Sequence, residues 1–100
     1  MVSLFAGNVA RRKPSAQSST GPWGGVPARG NDGNANSNWN GRSCTATNKQ
    51  PRPWWRVDLQ NSYLVKKVKI TNRNDCCWNR LRNVQVRVGD NLSGPDPNAL

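Results

Sequence analysis

The chain has 100 residues, no histidine, and a formal net charge of +10 from fifteen Lys and Arg against five Asp and Glu. Hydrophobic residues make up 34% of it, below the roughly 45–50% of a typical globular domain, so the composition suits short strands joined by long polar loops. These numbers exclude histidine nucleophiles, histidine metal sites and histidine pH switches. No apolar run reaches the roughly 20 residues of a membrane span.

The first part of the chain is basic and polar. We predict that residues 1–7 form an N-terminal tail and that residues 8–100 form one partial domain. Residues 1–8 are too short and too polar for a signal peptide. A basic, Ser-rich entry segment extends to residue 22, and one short strand is predicted within it, near Asn8 to Ala10.

Residues 23–53 are predicted to be loop, because neither a helical nor an alternating apolar period runs through them. A loop of this length in a compact domain needs a reason, such as a bound ion or a ligand surface. Four of its side chains are hard oxygen donors of the kind that calcium accepts. They are Asp32, Asn34, Asn36 and Asn38.

In the second half of the chain, apolar and polar residues alternate with a period of two, which is typical of antiparallel strands with one solvent-exposed face. Strands are predicted within residues 54–59, 63–71 and 81–88, the last with three valines on one face. The fold class is therefore all-β. Three convincing strands cannot cover both inner faces of a sandwich, so the architecture is expected to be incomplete at the C-terminus. Residues 91–93 form a glycosylation sequon, which is usable only in a secreted chain.

Three cysteines leave at least one thiol unpaired within the chain. Cys76 and Cys77 are adjacent, Cys44 is distant, and this spacing fits no zinc site. In an oxidising compartment the adjacent pair can bridge through a strained ring, whereas in the cytosol all three stay reduced.

A cluster of functional side chains follows the second predicted strand. Arg73 and Arg80 can each donate several hydrogen bonds in a fixed fork, and Asp75 can hold one guanidinium in place. A bridged Cys76–Cys77 pair would add a small apolar face. Forked donors beside an apolar plate suit a sugar ring, and the alternative interpretation is a surface salt bridge beside a turn.

The segment Asn72-Arg73-Asn74-Asp75-Cys76-Cys77, with Arg80, resembles the fucose-binding motif of the F-type lectin (fucolectin) family. The resemblance runs from about residue 8 to residue 90. It is also carried by the family's opening and middle blocks, which are matched by Asn8-Val9-Ala10, Lys13-Pro14, Gln17-Ser18-Ser19, Ser43-Cys44-Thr45 and Pro53-Trp54-Trp55-Arg56-Val57-Asp58-Leu59.

The resemblance implies a discoidin-like jelly-roll β-sandwich, secretion, structural calcium, and fucose recognition in innate immunity. It implies that Arg73 and Arg80 donate to the sugar, that Asp75 orients them, and that a Cys76–Cys77 disulfide forms the apolar contact. The expected partners are fucosylated or anionic glycans, and a homo-oligomer is compatible with the sequence.

The chain departs from the family pattern at the sugar site. The motif has a histidine where this sequence has Ala46, and Gly41-Arg42 adds a charge at the pocket rim. Losing such a hydrogen bond costs about 1–3 kcal/mol, against about 4 kcal/mol for a single site of millimolar strength. Fucose binding is therefore expected to be weakened or lost.

The calcium site implied by the resemblance is also altered. Asp32, Asn34 and Ser43 match family ligands, but Arg29 stands where the family has an asparagine. The other ligands belong to a late Cys-Glu pair that this chain lacks, so calcium is expected to bind weakly. Arg29 could replace the ion's charge by pairing with Asp32. The expected partner of Cys44 is likewise a late cysteine, so Cys44 is expected to be unpaired and the chain truncated.

The sequence raises three alternatives to fucose binding. The first alternative is polyanion binding by the basic surface, to sulfated or sialylated glycans or to nucleic acid. Nucleic acid is disfavoured because no recognition helix, zinc finger or aromatic RNA platform is present, although tryptophans can stack on single strands. A catalytic role is not expected without histidine, paired carboxylates or an activated nucleophile. The last alternative is a non-functional truncated product with aggregation-prone sheet edges.

Overall fold

The computed structural model describes residues 2–4 and 8–92, and within them the fold is all-β. Four short strands form two antiparallel pairs, and in each pair the two strands are far apart in sequence. The outer pair, whose strands enclose the other two in the sequence, joins β1 (Val2–Leu4) to β4 (Val68–Ile70), with Val2 opposite Ile70. The inner pair joins β2 (Ser15–Gln17) to β3 (Trp55–Val57), with Ala16 opposite Arg56.

Hydrogen bonds beyond the strand ends lengthen the inner pair. The Asp58 amide donates to the Pro14 carbonyl at 2.8 Å, and the Ser18 amide donates to the Trp54 carbonyl at 3.0 Å. The Ser18 hydroxyl in turn accepts from the Trp54 amide at 3.1 Å. The β2–β3 pair therefore continues on both sides, and it anchors the long connection between the two strands.

That connection, residues 18–54, is loop with two single turns of 3₁₀ helix, η1 (Pro27–Gly30) and η2 (Trp39–Gly41). The Trp55 indole Nε1–H donates to the Pro27 carbonyl at 2.9 Å. A Cβ atom on Gly30 would lie 2.7 Å from Cε2 of Trp55. The indole ring thus packs directly on the glycine backbone, and this contact fixes η1 against β3.

The most buried part of the domain is polar. Asn31 is 1% exposed, and its amide donates to the Ala10 carbonyl at 2.7 Å and to the Lys13 carbonyl at 2.9 Å. The Asn31 backbone carbonyl accepts from the Arg12 amide at 2.7 Å. Among the described residues, Ala10 is the only apolar side chain that is fully buried. A single carboxamide therefore ties the turn at residues 8–13 to the end of η1.

The structure corrects two predicted strands. Residues 8–10 form a turn instead of a strand, and Asn8 has a positive φ of 24°. Residues 81–88 also form no strand, and Val84, Val86 and Val88 are each more than half exposed. The alternation there is real, but a strand requires a hydrogen-bonded neighbour, and no described segment pairs with this one.

The other strand predictions are confirmed in part, with shorter bounds. β3 occupies the centre of the predicted 54–59 strand, and β4 occupies the end of the predicted 63–71 strand. β1 lies within the segment that we set apart as a tail, and the sequon residue Ser93 lies outside the described residues. No helix in the described part of the chain is long and apolar enough to cross a membrane.

We predict that Gly30→Ala destabilises the domain by about 1–3 kcal/mol, because the added methyl group must displace the Trp55 ring. Denaturant unfolding followed by tryptophan fluorescence measures this loss. The matched background is Trp55→Phe, whose smaller ring leaves room for the methyl group. An equal cost of Gly30→Ala in both backgrounds would show that the Trp55 contact is not the cause.

Candidate functional site

The loop that follows β4 is organised by an ion pair. Nε of Arg73 donates to Oδ1 of Asp75 at 2.7 Å, and a terminal nitrogen of Arg73 donates to Oδ2 at 2.9 Å. This fork-to-fork geometry fixes the orientation of the guanidinium as well as its charge. It confirms the expectation that Asp75 holds one guanidinium in place.

The ion pair is docked onto the Asn-rich loop through Trp39. The Arg73 guanidinium lies 5.2 Å from the centre of the Trp39 ring, a cation–π distance. The Trp39 backbone amide donates to Oδ1 of Asp75 at 3.3 Å, and the Asn74 amide donates to the Ser37 carbonyl at 2.9 Å. Two segments that are 36 residues apart in sequence therefore meet at this point.

The ion pair shifts the pKa values of both partners. The Arg73 hydrogen bond, followed by weaker support from the Trp39 amide, lowers the pKa of Asp75 from 3.8 to about 2. The Asp75 hydrogen bond raises the pKa of Arg73. Because the carboxyl pKa is depressed in the folded state, the pair's contribution is complete above about pH 4 and is lost as the pH falls through about 2.

The remaining residues of the loop form an exposed surface beside the pair. Cys76 and Cys77 form a disulfide, and Cys77 begins a third 3₁₀ turn, η3 (Trp78–Arg80), with a left-handed φ of 60°. Trp78 is 72% exposed, and its carbonyl accepts from the Asn72 side chain at 2.9 Å. Arg80 is exposed and makes no ion pair with Asp75. The structure therefore joins Arg73 to Asp75 and leaves Arg80 at the end of η3.

The Asn-rich segment forms a ladder of Asx turns, in which a side-chain oxygen accepts the backbone N–H two residues later. Four such bonds follow in series, at 2.8, 3.0, 3.0 and 2.9 Å. The Asx ladder starts at Asp32, continues through Asn34, Asn36 and Asn38, and ends at the Asn40 amide, inside η2. These side chains therefore hold the backbone of the segment in shape and carry it to Trp39.

The predicted calcium ligands already make hydrogen bonds within the protein. Oδ1 of Asp32 and Oδ1 of Asn34 already accept ladder hydrogen bonds, and the buried Ser43 hydroxyl donates to the Asn36 carbonyl. Gly33 lies between Asp32 and Asn34 in the sequence, and the Arg11 guanidinium packs on it. A Cβ atom on Gly33 would lie 2.6 Å from Nε of Arg11. No group of three or more acidic, Cys or His residues that could hold a metal occurs in the described ranges.

The structure also shows the interactions of three other predicted positions, which are Arg29, Cys44 and Ala46. Arg29 and Asp32 form no ion pair, so the suggested charge replacement by Arg29 is wrong. Cys44 is a free thiol and partly buried. The Ala46 amide donates to the Gly25 carbonyl at 3.0 Å, and its carbonyl accepts from Gly21 at 3.0 Å. The backbone at residue 46 is therefore fixed.

Sequence reasoning missed Trp39, the residue that links the two loops. Nothing within a few residues of Trp39 indicates a contact with residues 73–75. Its place at the end of the regularly spaced Asn residues is the only local signal, and that spacing is equally compatible with ion ligands.

Two short antiparallel pairs joined by long shaped loops make this an all-β domain, and its galactose-binding, discoidin-like class is shown by comparison with known families. A family model described as NedA-like, galactose-binding domain matches residues 29–97. The chain belongs to this family, in which it is an F-type lectin domain.

Among the chain's relatives are fucolectins of the eel Anguilla japonica. Fucolectin-5 is 40% identical over 89 residues, which are 85% of this chain and 47% of the relative. Fucolectin-6 is 40% identical over 95 residues, or 89% of this chain and 51% of the relative. A pentraxin fusion protein of Xenopus laevis is 41% identical over 59 residues, or 59% of this chain and 14% of that protein. The chain spans about half the length of the fucolectins, and no solved structure gave a significant match.

We propose that the Asx ladder shapes the Asn-rich loop without calcium. The melting temperature is then expected to be equal in a calcium salt, in a magnesium salt and in a chelator. Calcium at 100 times its Kd would stabilise the fold by about 2.7 kcal/mol, which is a shift of at least about 10 °C for a domain of this size. A calcium-specific shift of that order would contradict the proposal.

Proposed function

We propose that the chain is a carbohydrate-binding module in which the loop of residues 72–80 contacts the sugar. The observation that carries this proposal is the bidentate Arg73–Asp75 pair, which holds the guanidinium against the Trp39 ring. Asp75 uses only part of the donor fork, so the other N–H groups can donate to sugar hydroxyls. A donor that is already oriented loses little entropy when it binds.

An apolar surface lies next to these donors. The Cys76–Cys77 disulfide and the exposed Trp78 ring follow Asp75 directly in the chain. Aromatic and sulfur surfaces suit the C–H face of a pyranose, because they offer dispersion contacts without competing for its hydroxyls. Arg80, at the end of η3, is proposed as a second donor. The arrangement binds a ligand and has no activated nucleophile, so we propose binding without catalysis.

The chemical class of the sugar is proposed from the relatives. They carry the name fucolectin, and the matching family is described as galactose-binding. L-fucose is 6-deoxy-L-galactose and so belongs to the enantiomeric series opposite to D-galactose, but both rings carry a cis pair of hydroxyls at C3 and C4 to which an arginine fork can donate. Ala46 lacks the imidazole that the resemblance implies, and we propose that this lowers the affinity for fucose. A histidine introduced at residue 46 would start from a backbone that two hydrogen bonds hold in position.

We also propose an extracellular location. The Cys76–Cys77 disulfide requires an oxidising compartment to form and persist. A role in glycan recognition during innate immunity stays a prediction from the resemblance.

Titration of the purified chain with methyl α-L-fucoside and methyl galactoside, followed by calorimetry or ligand-observed NMR, tests the proposal. Wild type is expected to bind weakly, in the millimolar range. Ala46→His is expected to tighten fucoside binding by about 5- to 150-fold, the equivalent of one hydrogen bond of about 1–3 kcal/mol. Asp75→Asn is expected to weaken binding several-fold, because it releases the Arg73 fork.

Asp58→Asn is the matched control, since it makes the same chemical change at an Asx turn with Gln60 outside the loop of residues 72–80. It is expected to leave sugar binding unchanged. The proposal fails if neither wild type nor Ala46→His binds either sugar, or if Asp75→Asn and Asp58→Asn have equal effects.

A further inference from the structure

A concave surface that includes Trp39 lies outside the loop of residues 72–80. It is an open cleft of about 390 Å³ between η1, η2 and the turn at residues 21–24. A volume of this size is in the range of small-ligand pockets. Its lining consists of Trp23, Arg29, Trp39, Asn40 and Arg42, which we call the Trp–Arg cleft.

The charge of the Trp–Arg cleft is not neutralised by the protein. Arg29 and Arg42 make no ion pair with any described residue, and no carboxylate lines the cleft. Arg73 differs, because Asp75 holds its guanidinium in a salt bridge. Arg29 and Arg42 therefore keep their charge available to an anion, as does the exposed Arg80 at the end of η3, whereas Arg73 does not.

The backbone at Arg42 has an unfavourable conformation. Arg42 caps the end of η2 with a left-handed φ of 54°, and its amide donates to the Trp39 carbonyl at 3.1 Å. Glycine is the usual residue at such a cap, because side chains with a Cβ atom are disfavoured there. The turn places the Arg42 side chain, with its positive charge, in the lining of the cleft.

The aromatic part of the Trp–Arg cleft connects it to the proposed sugar site. Trp39 lines the cleft and also carries the Arg73 guanidinium at 5.2 Å. Trp23 is 82% exposed, so its indole face is available for a sugar ring. A glycan held at the loop of residues 72–80 can therefore extend past Trp39 without leaving the protein surface.

We propose that the Trp–Arg cleft binds the anionic group of an acidic glycan, a sulfate or a carboxylate, through Arg29 and Arg42 while a sugar ring packs on Trp23. This rests on the proposed function, because the neutral part of the same glycan occupies the loop of residues 72–80. Hydrogen bonds between a guanidinium and an anion are about twice as strong as neutral ones. Specificity therefore comes from the acidic group rather than from fucose alone.

Binding of lactose, 3′-sulfolactose and 3′-sialyllactose to the full chain tests the proposal, since the three share one neutral core. At about 0.1 M salt, where screening is moderate, we expect at least one acidic form to bind about tenfold more tightly than lactose. The two acidic ligands distinguish sulfate from carboxylate. In Arg42→Gly and Arg29→Gln, we expect the ratio of the lactose Kd to the acidic-ligand Kd to fall several-fold.

Arg52→Gly is the matched control for Arg42→Gly. Arg52 is also exposed, also has a left-handed φ of 52°, and does not line the cleft. Both variants remove one positive charge and one strained backbone position. Neither is expected to lower the melting temperature, and only Arg42→Gly is expected to lower the acidic preference.

Each result decides between the two proposals. Equal binding of lactose and both acidic forms overturns the Trp–Arg cleft and leaves the sugar site standing. An acidic preference that depends on Arg29 and Arg42 but is indifferent to Asp75→Asn supports the cleft and contradicts the sugar site. An equal loss in Arg52→Gly, or equal affinity for single-stranded DNA of matched charge, shows general polyanion attraction and overturns the cleft.

Discussion

The Asn31 side chain is the interaction on which the rest of this domain depends. With one fully buried apolar residue among those described, the domain cannot rely on a large hydrophobic core. The Asn31 side chain instead donates to two carbonyls of the turn at residues 8–13, and the Asn31 backbone carbonyl accepts the Arg12 amide. Removing the carboxamide would leave buried carbonyls without partners, at about 1–3 kcal/mol each.

A series of contacts connects Asn31 to the proposed binding surface. The Asx ladder begins at Asp32, the next residue, and its last bond lies within η2. η2 presents Trp39 to the loop that contains Arg73 and Asp75. Each step is a local hydrogen bond between groups close in sequence, except the last, which joins the two halves of the chain. The orientation of Arg73 thus depends on a polar scaffold built from asparagine.

The all-β class and the parts of the site that are local in sequence could be predicted. Arg73 and Asp75 are two residues apart, and Cys76 and Cys77 are adjacent, so their chemistry is visible in the residues themselves. The predicted strand at residues 81–88 is wrong. Alternation of apolar and polar residues indicates only which face of a strand would be buried, whereas a strand exists only when another segment pairs with it. The docking of Trp39 depends on a contact across 36 residues, which no local pattern encodes.

The asparagines show a different limit of sequence reasoning. A side-chain oxygen at every second position is compatible with cation ligands and with Asx turns, because both use the same lone pairs. Only the folded structure shows that these oxygens accept backbone amides. The basic residues are ambiguous in the same way: fifteen of them predict an attraction for anions, and only the structure shows that Asp75 already holds Arg73.

The central claim is that sugar contacts the Arg73–Asp75 pair beside Trp39, and a ¹⁵N NMR titration of the chain with a neutral glycoside tests it most directly. The indole N–H signals can be assigned by single Trp→Phe substitutions, and the Arg73 Nε–H signal by Arg73→Lys. The account predicts saturable shifts of the Trp39 and Arg73 signals, with the Trp55 signal unmoved because that indole is bonded to Pro27. Saturable shifts at Trp55 with Trp39 and Arg73 unchanged, or no shifts at all, would contradict it.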